Sequence, residues 1–199
     1  MKTKLPELSG SVIYFVGIKG TGMTALAELF RARGAIVTGS DVEEKFYTDV
    51  ILNELGIPVF EGFGAANLPE STQLLIHSAA YSPETHPEIV KARESGIRIL
   101  SYAEALGALS ADPVAVGIAG VHGKTTTTAI TGTVFKEFDL PFSVLTGSAA
   151  SNFGGRSTYV QGDDFFIAET CEYKRNFLNF HPNYIVLTSV EPDHLDYFK

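Results

Sequence analysis

Short apolar runs alternate along this chain with longer stretches whose apolar residues recur every three or four positions. Val12-Ile13-Tyr14-Phe15-Val16 is apolar throughout, the pattern of a strand buried on both faces. Met23, Leu26, Ala27, Leu29 and Phe30 then take helical spacing, and Gly34 stands where a helix ends in the left-handed conformation. The alternation goes on to predict strands over 35–38, 57–60, 74–78 and 97–100, with helices over 46–55, 86–95 and 101–109. Ser101-Tyr102-Ala103-Glu104 has the form of a capping box. Ser110-Ala111-Asp112-Pro113 reads as a linker, because Pro113 disfavours helix at Asp112 and brings no backbone donor. The pattern then restarts with strands over 114–118, 142–146, 164–169 and 184–188 and a helix over 124–138. Residues 147–162, rich in Ser, Asn and Gly, read as a loop or irregular hairpin.

Alternation this regular predicts an α/β fold with parallel sheets. The expected organisation is a Rossmann-like parallel-sheet domain over 1–110, followed over 111–199 by the first part of a P-loop-type α/β ATPase domain. Such sheets collect ligands at the C-terminal ends of their strands. Two glycine loops fall at that edge. Gly17-Ile18-Lys19-Gly20-Thr21-Gly22 follows the first strand, and Asp41 ends the second strand about 20 residues later, where an acid can reach a ribose hydroxyl. Lys19 occupies the place of the second glycine of G-x-G-x-x-G, where it would crowd a diphosphate on the backbone while offering it an ammonium. Ser78 lies at the same edge, and His77 beside it reads most simply as a packed core histidine.

The second loop is Gly120-Val121-His122-Gly123-Lys124-Thr125-Thr126. It is a phosphate cradle in outline: glycines admit the ligand, helix N–H groups point at it, Lys124 adds a cation and the Thr125 hydroxyl can hold Mg²⁺. Ile118 stands where the usual first glycine would be, so the loop is a shortened variant. The strand ending at Glu169 puts a carboxylate where a metal-side acid belongs, with Glu172 close by. Glu191, Asp193, His194 and Asp196 cluster after the last strand.

Composition narrows this further. A net charge of −8 over 199 residues argues against a nucleic-acid or anionic-membrane partner, so anion binding must come from local sites. The single cysteine, Cys171, excludes an internal disulfide and a cysteine metal cluster, in keeping with a reducing cytoplasm. No signal peptide is read at the N-terminus, and no apolar run reaches the roughly 20 residues that span a bilayer.

In order along the chain, these motifs resemble those of the Mur ligases, the ATP-dependent amino-acid ligases of bacterial peptidoglycan synthesis. The second loop resembles their G-T-x-G-K-T-T element, with Val121 in place of threonine. Gly17 to Met23 is similar to G-I-x-G-x-G-M of the alanine-adding branch, and Gly39-Ser40-Asp41 to its G-S-D. Ala168 to Tyr173 and Ser189 to Asp196 resemble its E-A-x-E-x and N-I-x-x-D-H-x-D elements. The resemblance implies substrates UDP-N-acetylmuramate, ATP and L-alanine, Mg²⁺ as cofactor, and an acyl-phosphate intermediate. It implies ATP contacts from Gly120 to Thr126, catalytic roles for Lys124, Glu169 and His194, and metal ligation by Thr125, Glu169 and His194. Lys19, Gly20, Thr21, Gly22, Met23, Ser40, Asp41 and Ser78 would serve the UDP-sugar. The family has three domains, and the resemblance covers the first and the opening of the second. The chain is therefore expected to be an N-terminal fragment, or a short protein that does not catalyse by itself. Three other readings stand beside this: a ligase adding a tripeptide to the same UDP-sugar, a non-catalytic nucleotide-binding module, and an NAD(P)-dependent oxidoreductase.

Overall fold

The computed structural model describes residues 5–170 and 173–192. They divide into two compact units, Leu5–Ala105 and the residues from Leu106 onward.

The first unit carries a five-stranded parallel sheet: β1 (Val12–Val16), β2 (Ile36–Asp41), β3 (Val59–Glu61), β4 (Leu74–His77) and β5 (Arg98–Ser101), in the order β3-β2-β1-β4-β5. The helices are α1 (Thr21–Ala32), α2 (Thr48–Glu54) and α3 (Pro87–Glu94), with α4 (Tyr102–Leu109) running across the unit boundary. Every residue from Ile13 to Val16 is fully buried, because successive side chains serve opposite faces and both faces are covered. Phe15 meets Phe30 of α1 edge-on at 5.9 Å, whereas Tyr14 and Val16 join Leu75, Ile89 and Ala92 in a separate cluster. Each large apolar side chain buried this way stabilises the fold by about 1.5–3 kcal/mol. The predicted stops hold: Gly34, Gly56 and Gly96 all take positive φ after helices α1, α2 and α3. The capping box forms too, with Glu104 accepting from Ser101 N at 2.8 Å and Ser101 Oγ accepting from Glu104 N at 3.3 Å.

β2 extends to Asp41, three residues past the predicted strand end. Gly39 makes that pairing fit, since a Cβ there would lie 2.3 Å from the Phe15 carbonyl oxygen. The order reverses beside β1, where the chain leaves for β2 on one side and β4 on the other. That switch point is where α/β sheets open a crevice for ligands.

The second unit has a sheet of β6 (Val114–Ala119), β7 (Phe142–Ala150), β8 (Arg156–Val160), β9 (Phe165–Glu169) and β10 (Tyr184–Leu187), ordered β10-β6-β9-β7-β8. Helix α5 (Lys124–Glu137) covers one face over Val116, Ile118, Val144, Phe153 and Ile167. Gly132 lets it sit close, as a Cβ there would come within 2.8 Å of the Phe153 ring. The Ser/Asn/Gly-rich stretch contains the irregular hairpin: β8 runs antiparallel to β7, with a register shift between Leu145 and Ala150. This sheet is therefore mixed rather than wholly parallel.

Candidate functional site

Each glycine loop leaves the C-terminal end of a central strand and opens a helix. In the first unit Gly17 takes φ +81, and the N–H groups of Gly17 and Ile18 donate to the Ser40 carbonyl at 2.9 and 3.2 Å. These bonds fasten the loop to the end of β2. Gly20 is the N-cap of α1 with no side-chain cap, and the first turn contains no acid. Gly20 is exposed and Thr21 and Gly22 half-buried, while Met23 is buried. The N-terminal N–H groups and the positive end of the helix are thus suited to an anion, with no carboxylate in the first turn to cap them.

Three side chains expected to serve the UDP-sugar are turned inward. Lys19 is only 2 % exposed. Its ammonium donates to the carbonyls of Val42 and Glu44 at 2.9 and 3.0 Å and pairs with Asp49 at 3.2 Å. The expected open ammonium is thus spent inside the unit, since a buried lysine is stable only when its charge and donors are matched. Asp41 is likewise buried. One carboxylate oxygen accepts from Lys19 N at 2.6 Å, and the other from Val42 N at 2.8 Å and the Tyr81 hydroxyl at 3.3 Å. Ser40 is fully buried and donates to Glu88 at 2.5 Å, whose other oxygen takes Gly64 N and Asn67 Nδ2. In this structure Lys19, Asp41 and Ser40 hold the loop together instead of standing open to a ligand. Ser78 is half-buried at the crevice, its N–H on the Val16 carbonyl, and His77 turns Nδ1 to the Ser78 carbonyl at 3.1 Å.

Sequence reasoning missed an aromatic group at the same edge. Tyr81 packs over Gly17, where a Cβ would lie 2.6 Å from its ring. Phe63 and His86 meet Tyr81 at 4.8 and 5.2 Å. Burial, then the negative charge of Asp41, push the Tyr81 phenol up to about 12, so it remains a donor at neutral pH. Burial holds the His86 imidazole below its ordinary value, with Glu88 opposing the shift and His77 adding to it.

In the second unit Gly120 takes φ +131 and Gly123 φ +82. A Cβ on Gly120 would lie 2.2 Å from Thr188 Oγ1, so only glycine fits between loop and β10 end. Thr188 Oγ1 donates to the His122 carbonyl at 2.6 Å, and Ser189 Oγ accepts from His122 N at 3.1 Å. Lys124 Nζ curls back to the Gly120 carbonyl at 2.6 Å, with Val121 O at 3.4 Å. Val121 is half-buried; His122, Gly123 and Thr126 are exposed. Gly123 is the N-cap of α5, which, like α1, has no side-chain cap and no acid in its first turn.

Strand register delivers the acid. Glu169 pairs with Ile118, two residues before Gly120, and its Oε2 accepts from Thr125 Oγ1 at 2.9 Å. Gly147 on β7 makes room, because a Cβ there would lie 1.5 Å from Glu169 Oε1. Among the described residues no group of three His, Cys, Asp or Glu side chains is placed to hold a metal. One hydroxyl beside one carboxylate nevertheless fits Mg²⁺, which keeps waters and phosphate oxygens as most of its ligands. Glu172, Asp193, His194 and Asp196 lie outside the described residues.

A model of the Mur ligase family catalytic domain matches residues 12–113, and one of the Mur ligase middle domain matches residues 118–199. UDP-N-acetylmuramate–L-alanine ligase of Treponema pallidum is 56% identical over 193 residues, covering 97% of this chain and 40% of that protein. UDP-N-acetylmuramate:L-alanyl-gamma-D-glutamyl-meso-diaminopimelate ligase from Neisseria meningitides has a similar solved structure, with TM-score 0.82 and 28% identity. That match covers 96% of this chain and 64% of the other. UDP-N-acetylmuramate-alanine ligase from Thermotoga maritima gives TM-score 0.77 at 31% identity, covering 94% and 43%. The chain spans about 40% of the length of the curated relatives it matches.

Proposed function

The chain belongs to the Mur ligase family, and from that premise we propose that it carries the UDP-sugar and ATP sites of a ligase joining L-alanine to UDP-N-acetylmuramate. The observation that supports this most strongly is the repetition of one device. Each unit sets a glycine loop before an uncapped, acid-free helix N-terminus, which suits a polyphosphate twice over. A UDP-sugar and ATP require two such places, whereas a dinucleotide oxidoreductase would leave the Lys124 loop without a use.

The reaction joins a carboxylate to an amine. The lactyl carboxylate takes the γ-phosphoryl group of ATP, ADP leaves, and the amine then displaces phosphate from the acyl phosphate. Two anions must first be held within reach of each other, so local positive charge and fixed N–H dipoles carry most of the work. In the first unit the N–H groups at Gly20, Thr21, Gly22 and Met23 would bind the diphosphate, with Ser78 at the rim of the crevice. Asp41, Ser40 and Lys19 would act by holding that loop in shape. In the second unit the backbone from Gly120 to Thr126 would cradle the ATP phosphates. Lys124 would exchange the Gly120 carbonyl for a phosphate oxygen, a stronger partner because it is ionised. Thr125 and Glu169 would hold Mg²⁺, which supplies charge neutralisation at the phosphates. His194, by family resemblance, would stand near the substrate carboxylate. The proposed place of action is the cytoplasm; among the described residues no helix is long and apolar enough to cross a membrane.

A second reading, with a tripeptide as the incoming amine, is favoured by the fold match, since the Neisseria structure overlays at 0.82 against 0.77 for the Thermotoga one. Sequence identity favours L-alanine. ADP release by the protein, supplied with UDP-N-acetylmuramate and either amine, separates them. Turnover with L-alanine at least about tenfold above tripeptide is expected, a difference of about 1.4 kcal/mol in barrier. Turnover with the tripeptide alone would move the assignment, and turnover with neither would end it.

A further inference from the structure

Lys19 sends all its polar groups to one segment. Its N–H donates to Asp41, its carbonyl accepts from Thr48 Oγ1 at 2.6 Å, and its ammonium reaches Val42 O, Glu44 O and Asp49. Three acceptors match the three ammonium protons, which is what a lysine this deeply buried needs. Residues 42–49 are thereby strapped to the loop between β1 and α1. Asp49 closes the strap from its other end: one carboxylate oxygen pairs with Lys19 and the other accepts from Phe46 N at 2.6 Å. Burial alone would raise the Asp49 carboxyl, but the Phe46 N–H and Lys19 outweigh it and hold it below its usual value. Between these anchors stands Tyr47, 55 % exposed, whose hydroxyl donates to Thr21 Oγ1 at 2.8 Å on the first turn of α1.

We propose that Lys19 is a positioning residue for the UDP-linked substrate: through Asp49 it fixes the 42–49 strap, and with it Tyr47, at the anion-facing end of α1. Lys19 does not touch the phosphates. It fixes the loop from behind, and the strap supplies a hydroxyl-bearing wall on the β2 side of the crevice. A glycine at position 19 would leave this strap without its central anchor, so the lysine exchanges close backbone approach for a fixed wall. The inference rests on the UDP-sugar reading of the first unit.

The test is a double-mutant cycle on this chain, with UDP-N-acetylmuramate titrated calorimetrically into wild type, Lys19→Met, Asp49→Asn and the double variant. Methionine fills the space of the lysine stem but leaves Asp49 and the Val42 and Glu44 carbonyls without their donor, so Lys19→Met is expected to lose stability as well. Wild type that fails to bind the UDP-sugar overturns the first-unit assignment itself. With wild type binding, each single variant is expected to weaken it about 10- to 100-fold, the usual cost of loosening a group that orients a ligand-binding one. The double variant should be no weaker than the worse single, because both cut the same tether. Lys19 acting directly on the phosphates would instead show as a loss in Lys19→Met, near-wild-type binding in Asp49→Asn, and additive losses in the double. That result, or unchanged binding in both singles, overturns the proposal. Tyr47→Phe gives an independent reading: binding about 3- to 10-fold weaker is expected, about one hydrogen bond's worth, and no change removes the strap from the substrate. Melting temperatures of all variants separate a lost fold from a lost site, and Asp49→Asn, at a partly exposed position, keeps the test alive should Lys19→Met not fold.

Discussion

The two glycine loops of this chain solve one electrostatic problem with opposite uses of their side chains. In the first unit Lys19, Ser40 and Asp41 are all under 5 % exposed and bind other parts of the protein. What remains toward solvent is backbone at the start of α1. In the second unit Lys124 and Thr125 stay near the surface, held by a carbonyl of their own loop and by Glu169. The difference teaches where specificity and chemistry reside. A loop whose side chains face inward is a rigid receptor, suited to holding one ligand in place. A loop whose lysine rests on a replaceable carbonyl can hand its charge to a reacting phosphate, where charge changes during the reaction.

A large effect is expected from breaking this contrast at Gly147, in the second unit. Gly147→Ala drives a methyl group into the Glu169 carboxylate, which must swing away from Thr125. Mg²⁺-dependent ATP affinity should fall about 10- to 100-fold, read by titrating Mg-ATP into the variant, with melting temperature little changed because a flexible carboxylate can move. Unaltered affinity would separate Glu169 from the metal. A smaller effect is expected in the first unit, at His86. This imidazole is 7 % exposed, and neither ring nitrogen has a hydrogen-bond partner among the described residues. Burial lowers its affinity for a proton in the fold, whereas the unfolded chain takes one up near 6.5. The unfolded state therefore binds more protons around and below that pH, and stability is lost as pH falls through 6.5 toward the lower folded value. Thermal unfolding of wild type between pH 7 and 5 should fall further than that of His86→Asn. The gap is expected to widen as pH falls below 6.5. Superimposable curves would show that the ring is not held neutral.

Much of this architecture was legible because it is local. The apolar run of β1, the glycine stops at 34, 56 and 96 and the Ser101–Glu104 capping box depend on neighbours in sequence, and all appear as read. The Thr125–Glu169 pairing was implied by the family pattern, and strand register brings the two within 2.9 Å. Distant contacts were not legible. In the sequence Lys19 crowds the loop while offering an ammonium; its acceptors lie 23 to 30 residues away, and nothing local announces them. Asp41 has the spacing of a ribose-binding acid but not the exposure, since Lys19 N, Val42 N and Tyr81 already fill its oxygens. The Phe63–Tyr81–His86 group comes from two loops and a helix start, with no periodicity to reveal it. Between the loop and the irregular hairpin that the composition of 147–162 left open, pairing of β8 with β7 decides for the hairpin.

In the proposed function each unit binds its own nucleotide independently. Titrating Mg-ATP and UDP-N-acetylmuramate separately into Lys124→Ala of this chain puts that to trial. ATP affinity is expected to fall by about 100-fold or more, the loss of a charge-assisted contact worth roughly 3 kcal/mol, while UDP-N-acetylmuramate affinity stays within about twofold of wild type. Equal loss of both ligands, or ATP binding that survives without the lysine, would contradict it.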